Sequence, residues 1–289
     1  MHIERQDGNT DLPRRRADHL RTRPTRFVHA VRHASKRVLG RHPTAYLAVA
    51  SRRHPQSALH RDTDLVIDGF GRSAVTFAVV AFQVAQDGHV HVAHHSHAIA
   101  PILIASKRGV PVLVPIREPE ATVLSGIVRE PEVSVGQFLR SYVDFYRRLS
   151  DVTDRVVLAR FDSVVEDFGA AIRRVNQRFG TAFVEFDHTA DRARVVFDLI
   201  EERASRPPWQ RLLGEFLCGN VSFTEYEELT RSARLERGDA TVPEALVQRP
   251  SEARDAMKAE ALSRYRSPSL ATWRARAAAS YRAVLPHAV

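Results

Sequence analysis

Residues 64–80, reading Asp-Leu-Val-Ile-Asp-Gly-Phe-Gly-Arg-Ser-Ala-Val-Thr-Phe-Ala-Val-Val, constrain this chain more than any other stretch. The apolar run Leu65, Val66 and Ile67 reads as a strand, Gly69 and Gly71 as a tight loop, and the segment up to about Gln86 as a helix. A strand that turns sharply into a helix aims free backbone N–H groups and the positive end of the helix dipole at one spot. Such a spot suits phosphate or sulfate oxygens. Arg72 adds a fixed charge there, and Ser73 and Thr76 add hydroxyl donors. A Gly-Phe-Gly is equally a plain turn between two core elements, so a second signal is needed.

The surrounding pattern alternates. Strands are expected near 64–69, 89–94, 110–116 and 155–161, with helices near 74–86, 97–107, 119–128 and 135–150, an order that implies a parallel α/β sheet. In such a sheet binding groups collect beyond the carboxyl ends of the strands, where Arg72, His94, His95 and Arg117 all fall. Beyond Phe161 the periodicity is helical, over 162–179, 190–203, 225–236, 251–265 and 269–285. Residues 1–24 read as a flexible basic tail, and 25–40 as a surface helix with Thr25 as its cap and Gly40 as its stop. One α/β domain is expected over 25–289, with its α/β core at 64–180 and a helical region at 181–289.

The charge of +9 belongs to the N-terminal arm. Residues 1–60 hold 13 Lys/Arg against 4 Asp/Glu, while the other 229 residues hold 30 of each sign. The excess therefore does not describe the loop, and no nucleic-acid partner is expected. No run of about 18 apolar residues exists, and the acidic, polar start argues against a signal peptide. A cytoplasmic protein without a membrane span is the expectation. Cys218 is the single cysteine, so no internal disulfide forms.

Three phosphate-binding loops compete for 64–80. The triphosphatase loop requires a Gly-Lys-Ser/Thr ending that is absent. The dinucleotide fingerprint fits Gly69, Gly71 and Ala74, but it predicts an acidic residue at the second strand tip, where His94 and His95 stand. Residues 71–77, Gly-Arg-Ser-Ala-Val-Thr-Phe, resemble the 5′-phosphosulfate loop of sulfotransferases, with Gly71 in place of the usual proline and Ala74 in place of glycine. Residues 112–125 are similar to that family's 3′-phosphate motif, a strand ending in Arg117 with Ser125 eight residues on. Residues 159–164, Ala-Arg-Phe-Asp-Ser-Val, are similar to a late family segment, with Phe161 in the aromatic position.

This resemblance to sulfotransferases that use 3′-phosphoadenosine 5′-phosphosulfate (PAPS) implies a P-loop-type parallel sheet flanked by helices, with a largely helical C-terminal third. It implies transfer of a sulfuryl group to a hydroxyl of a small molecule or sugar, with PAPS as co-substrate and no metal. Gly71, Arg72, Ser73, Ala74, Val75 and Thr76 would then hold the 5′-phosphosulfate, and Arg117 with Ser125 the 3′-phosphate. Phe77 would stack on adenine or else pack in the core. His95, 22 residues before Arg117, takes the general-base position, with His94 as substitute and Arg72 stabilising charge. The crowd of His89, His91, His94, His95 and His97 lacks a carboxylate or cysteine to complete a metal set. Arg254, four residues before Lys258, would complete the 3′-phosphate site or sit on a solvated helix face. The alternatives are a NAD(P)-dependent Rossmann oxidoreductase, a relative that binds the nucleotide without catalysis, and an adaptor working through the basic arm.

Overall fold

A computed structural model of the protein describes residues 42–205, 207, 209–237 and 251–289. The basic tail and the helix expected over 25–40 lie outside these residues. The four strands β1 (Leu65–Ile67), β2 (Val92–His94), β3 (Val112–Ile116) and β4 (Val157–Arg160) form one parallel sheet in the order β2-β1-β3-β4. The strand residues are buried apart from Arg160, as expected of a parallel sheet covered on both faces.

Alternation along the strands sends side chains to two cores. Val66, Ala93, Val112, Val114, Ile116 and Leu158 face one core, and Leu65, Ile67, Val92, Leu113, Val157 and Ala159 face the other. The first core is closed by α3 (Ile99–Arg108), α4 (Pro119–Arg129) and α5 (Val135–Leu149), together with α11 (Ser251–Arg266) and α12 (Ala271–Val284). The second is closed by α2 (Val75–Ala85), α6 (Phe161–Glu166), α7 (Phe168–Phe179), α8 (Ala190–Ser205), α9 (Gln210–Cys218) and α10 (Phe223–Arg237). The C-terminal third is thus helical, yet it forms no single cap. Its helices divide between the two faces of the sheet. Residues 288 and 289 close the free edge of β4, where the Val289 N–H donates to Leu158 O at 3.0 Å.

α2 is buried almost all round, because α8 and α9 cover the side that turns away from the sheet. Its two buried glutamines are satisfied: Gln83 Nε2 donates to Val90 O at 3.1 Å, and Gln86 Oε1 accepts from Val184 N at 3.1 Å. The helix expected over 162–179 breaks at Asp167, which adopts φ −149° and caps α7 by accepting from Ala170 N at 3.2 Å. Two helices were not anticipated, α1 (Pro43–Arg53) and α9.

α9 ends at Gly219, with φ +85°, where an added Cβ would lie 1.7 Å from Val90 O. Gly180 ends α7 at φ +68° with nothing within 4 Å of such a Cβ. Gly180→Ala is therefore expected to cost about 1–2 kcal/mol of backbone strain alone, and Gly219→Ala about 3 kcal/mol or more because α9 must also leave β2. Urea unfolding of the two variants measures the difference.

Candidate functional site

In the order β2-β1-β3-β4 the chain leaves β1 on one side for β2 and returns past it to β3. This reversal opens a crevice between the carboxyl ends of β1 and β3. Four non-glycine residues among those described have left-handed backbone, and all lie in the loops after β1 and β2: Arg72 (φ 74°), Ala74 (69°), His95 (57°) and His97 (50°). Such conformations are sparsely populated for these residue types and concentrate at functional sites. The glycines of the first loop have a different use. Gly69 lies so close to β3 that a Cβ would stand 2.6 Å from Pro115 O, and neither Gly69 nor Gly71 has positive φ.

Asp68, at the tip of β1 and 1% exposed, ties the first two loops together. Its carboxylate accepts from the N–H groups of Gly69 (2.8 Å), Ser96 (2.9 Å) and His97 (3.1 Å), and from the Ser96 hydroxyl. The amides of residues 71–77 donate to no acceptor among the described residues, so the loop and the first turn of α2 present a run of uncommitted N–H groups.

The basic side chains meet above the crevice. Arg72 Nε donates to Ser125 Oγ at 2.9 Å, and Arg117 Nη1 donates to the Arg72 carbonyl at 3.2 Å. Arg117 rests on Phe161, its guanidinium carbon 3.8 Å from the ring centroid, and its buried Nε has no hydrogen-bond partner among the described residues. Arg129 follows Ser125 by one turn of α4, and its charge, with that of Arg117, adds to desolvation in lowering the pKa of Arg72, against some relief from Glu130. Both cradles stand on α5. Phe70 packs edge-on against Tyr142 at 5.3 Å and Phe145 at 5.6 Å. The Arg117 carbonyl accepts from Tyr142 Oη (2.6 Å) and Tyr146 Oη (3.1 Å), while Arg117 N–H donates to Tyr146 Oη at 2.9 Å. Burial raises both tyrosine pKa values, so the hydroxyls remain protonated donors.

His95 stands between the first loop and α8. Its Nε2 is 2.9 Å from Arg203 Nη1 and 3.0 Å from Thr76 Oγ1. Arginine is a donor only, so Nε2 is the bare nitrogen, accepting from both groups. The ring proton then sits on Nδ1 and is donated to His94 Nδ1 at 2.7 Å. His94 in turn carries its proton on Nε2, facing the Leu217 carbonyl and Cys218 Sγ, the latter at 3.7 Å. Burial, then the charges of His94, Arg203 and His97, hold His95 well below the usual histidine range. His94 is lowered to about 3, first by burial and then by Arg203 and His97.

Several sequence expectations change in this light. His94 is 6% exposed, more deeply buried than His95, and its Nε2 faces Cys218 Sγ inside the fold, which disfavours it as the substitute base. The Ser73 hydroxyl is buried and donates to Phe70 O at 2.6 Å, shaping the loop rather than facing a ligand. Thr76 spends its proton on His95. Phe77 is a core residue, 4% exposed, packed on Phe186 and Phe197 with its ring stacked 5.7 Å from that of His188. Val75 is buried, and Phe161 supports Arg117. Arg254 is half-buried on α11, while Lys258 is exposed and pairs with Asp255 at 3.6 Å. Arg129 and Arg203 were not anticipated. Among the described residues no three His, Cys, Asp or Glu side chains are grouped to hold a metal ion, and no helix is long and apolar enough to cross a membrane. No protein-family model, curated protein or solved structure matches the chain.

Proposed function

We propose that the parallel sheet is of the P-loop type, binds PAPS across the β1–β3 crevice and passes its sulfuryl group to a hydroxyl of a small molecule or sugar. The observation that carries the reading is the Arg72–Ser125 and Arg117–Arg72 contacts, which make two basic cradles, read separately in the sequence, neighbours over one crevice. Arg117 and Ser125 would hold the 3′-phosphate. Arg72 and the N–H groups of residues 71–76 would hold the 5′-phosphosulfate, where charge grows during transfer. The acceptor oxygen forms a bond to sulfur, and the bond from sulfur to the bridging oxygen breaks with its electron pair leaving on the phosphate. The acceptor proton passes to His95 Nε2.

The nicotinamide alternative fits less well. A dinucleotide fold places β1 between β2 and β4, in the order 3-2-1-4, whereas here β1 lies between β2 and β3, and a histidine ends β2. Calorimetry with 3′,5′-ADP and with NADPH decides between them. Binding of 3′,5′-ADP is expected, and binding of NADPH alone would overturn the proposal. A non-catalytic nucleotide-binding relative is favoured by one observation, the Arg203 guanidinium covering the base nitrogen of His95.

A further inference from the structure

That covering contact has a functional reading of its own, resting on the sulfotransferase proposal. We propose that Arg203 is a mobile anion-binding residue of the site: in the free protein it masks His95 Nε2, and when the anionic donor binds it turns onto the transferring group and releases that nitrogen. Two observations and one general preference lead here. Arg203 Nη1 and Thr76 Oγ1 share one acceptor, so the guanidinium stands beside the first turn of α2 and its uncommitted N–H groups. A guanidinium prefers a sulfate or phosphate oxygen to a neutral imidazole, because the anion adds an opposite charge and can accept the planar fork through two oxygens. Arg129 repels Arg203, and no carboxylate is paired with Arg203 among the described residues.

The masking contact also explains how one histidine can be shielded at rest and basic when needed. In the free protein a proton on His95 Nε2 would face Arg203, with His94 on the other ring nitrogen and His97 alongside. Once Arg203 pairs with the anion, only the Thr76 hydroxyl still faces Nε2, and rotation of its proton frees the lone pair next to the transfer point, where the negative group stabilises the imidazolium. The base becomes competent only when there is something to transfer.

The test is a histidine-ring NMR titration of the full chain, with Arg203→Met and Arg203→Lys, with and without 3′,5′-ADP and inorganic sulfate. In the wild type, adding both is expected to move the His95 midpoint up by a pH unit or more. In Arg203→Met the midpoint should already be raised without ligand, and Arg203→Lys should lie between. The pH profile of kcat/KM should shift in step, which a merely structural arginine would not cause. A His95 titration in Arg203→Met that matches the wild type overturns the inference. Failure of the wild type to bind 3′,5′-ADP overturns the sulfotransferase reading instead, while the ligand-free titration still decides whether Arg203 masks Nε2.

Discussion

Arg117→Ala is expected to weaken 3′,5′-ADP binding by about 100-fold, read by calorimetry. Truncating one member of a charge-assisted, bidentate phosphate contact costs about 2–5 kcal/mol, and each 1.4 kcal/mol is tenfold. The loss should be local. The main chain at Arg117 is held by Tyr142 and Tyr146 through backbone atoms that the substitution leaves in place, so the loop keeps its course. Arg117→Lys retains the charge but not the planar fork, nor its flat seating on Phe161, and should lose about tenfold. Because phosphate contacts between charges weaken with salt, the gap between wild type and Arg117→Ala should narrow as ionic strength rises. Unaltered affinity in Arg117→Ala would remove the 3′-phosphate assignment and, with it, the case for a nucleotide spanning the two cradles.

What the sequence revealed about this site, and what it hid, divides along one physical line. Residues that leave the tips of parallel strands are legible, because the carboxyl ends of the strands must gather on one side of the sheet. Arg72, His95 and Arg117 were read past the strand ends that way, while Ser125 and the role of His95 came from the resemblance to the sulfotransferase motifs. What was hidden depends on how helices pack. Arg203 lies 108 residues from His95 and reaches it only because α8 covers α2, which no local periodicity records. The Tyr142–Tyr146 pair was readable as a buried stripe on α5 but not as the clamp on Arg117. Asp68 was not singled out. Its burial beneath the second loop became visible only with the strands in register, where Ile67 pairs with His94.

The misread elements have similar causes. α9 had a stop signal in Gly219 and apolar residues Leu213, Phe216 and Leu217 at helical spacing, but nine residues are too few for periodicity to stand out. Among its described side chains α1 buries only Tyr46 well, so it shows almost no apolar stripe. Gly69 and Gly71 were read as the tight loop after β1, yet Arg72 and Ala74 take its left-handed positions. A chain holds non-glycine residues there only where the surroundings over-determine the backbone. Phe70 wedged among the aromatics of α5, and the Ser73 hydroxyl bonded back to Phe70 O, supply that constraint.

The second large effect concerns turnover. His95→Gln is expected to lower kcat by about 10²- to 10⁴-fold, the usual worth of a positioned general base, while 3′,5′-ADP affinity stays within several-fold, since His95 makes no phosphate contact in this assignment. The pH dependence carries the sharper information. A base works in its neutral form, and the fold holds free His95 well below the ordinary histidine range. The acid limb of kcat/KM, which reports the free enzyme, should therefore lie at lower pH than an exposed histidine would give. The acid limb of kcat reports the donor complex, in which Arg203 has turned to the anion and the His95 pKa rises, so it should lie at higher pH. If both limbs coincide, Arg203 does not move on binding. If His95→Gln turns over at the wild-type rate, the acceptor proton leaves by another route. His94 is a poor replacement, because it is buried beneath His95 and burial lowers its pKa to about 3, which leaves it a weak base.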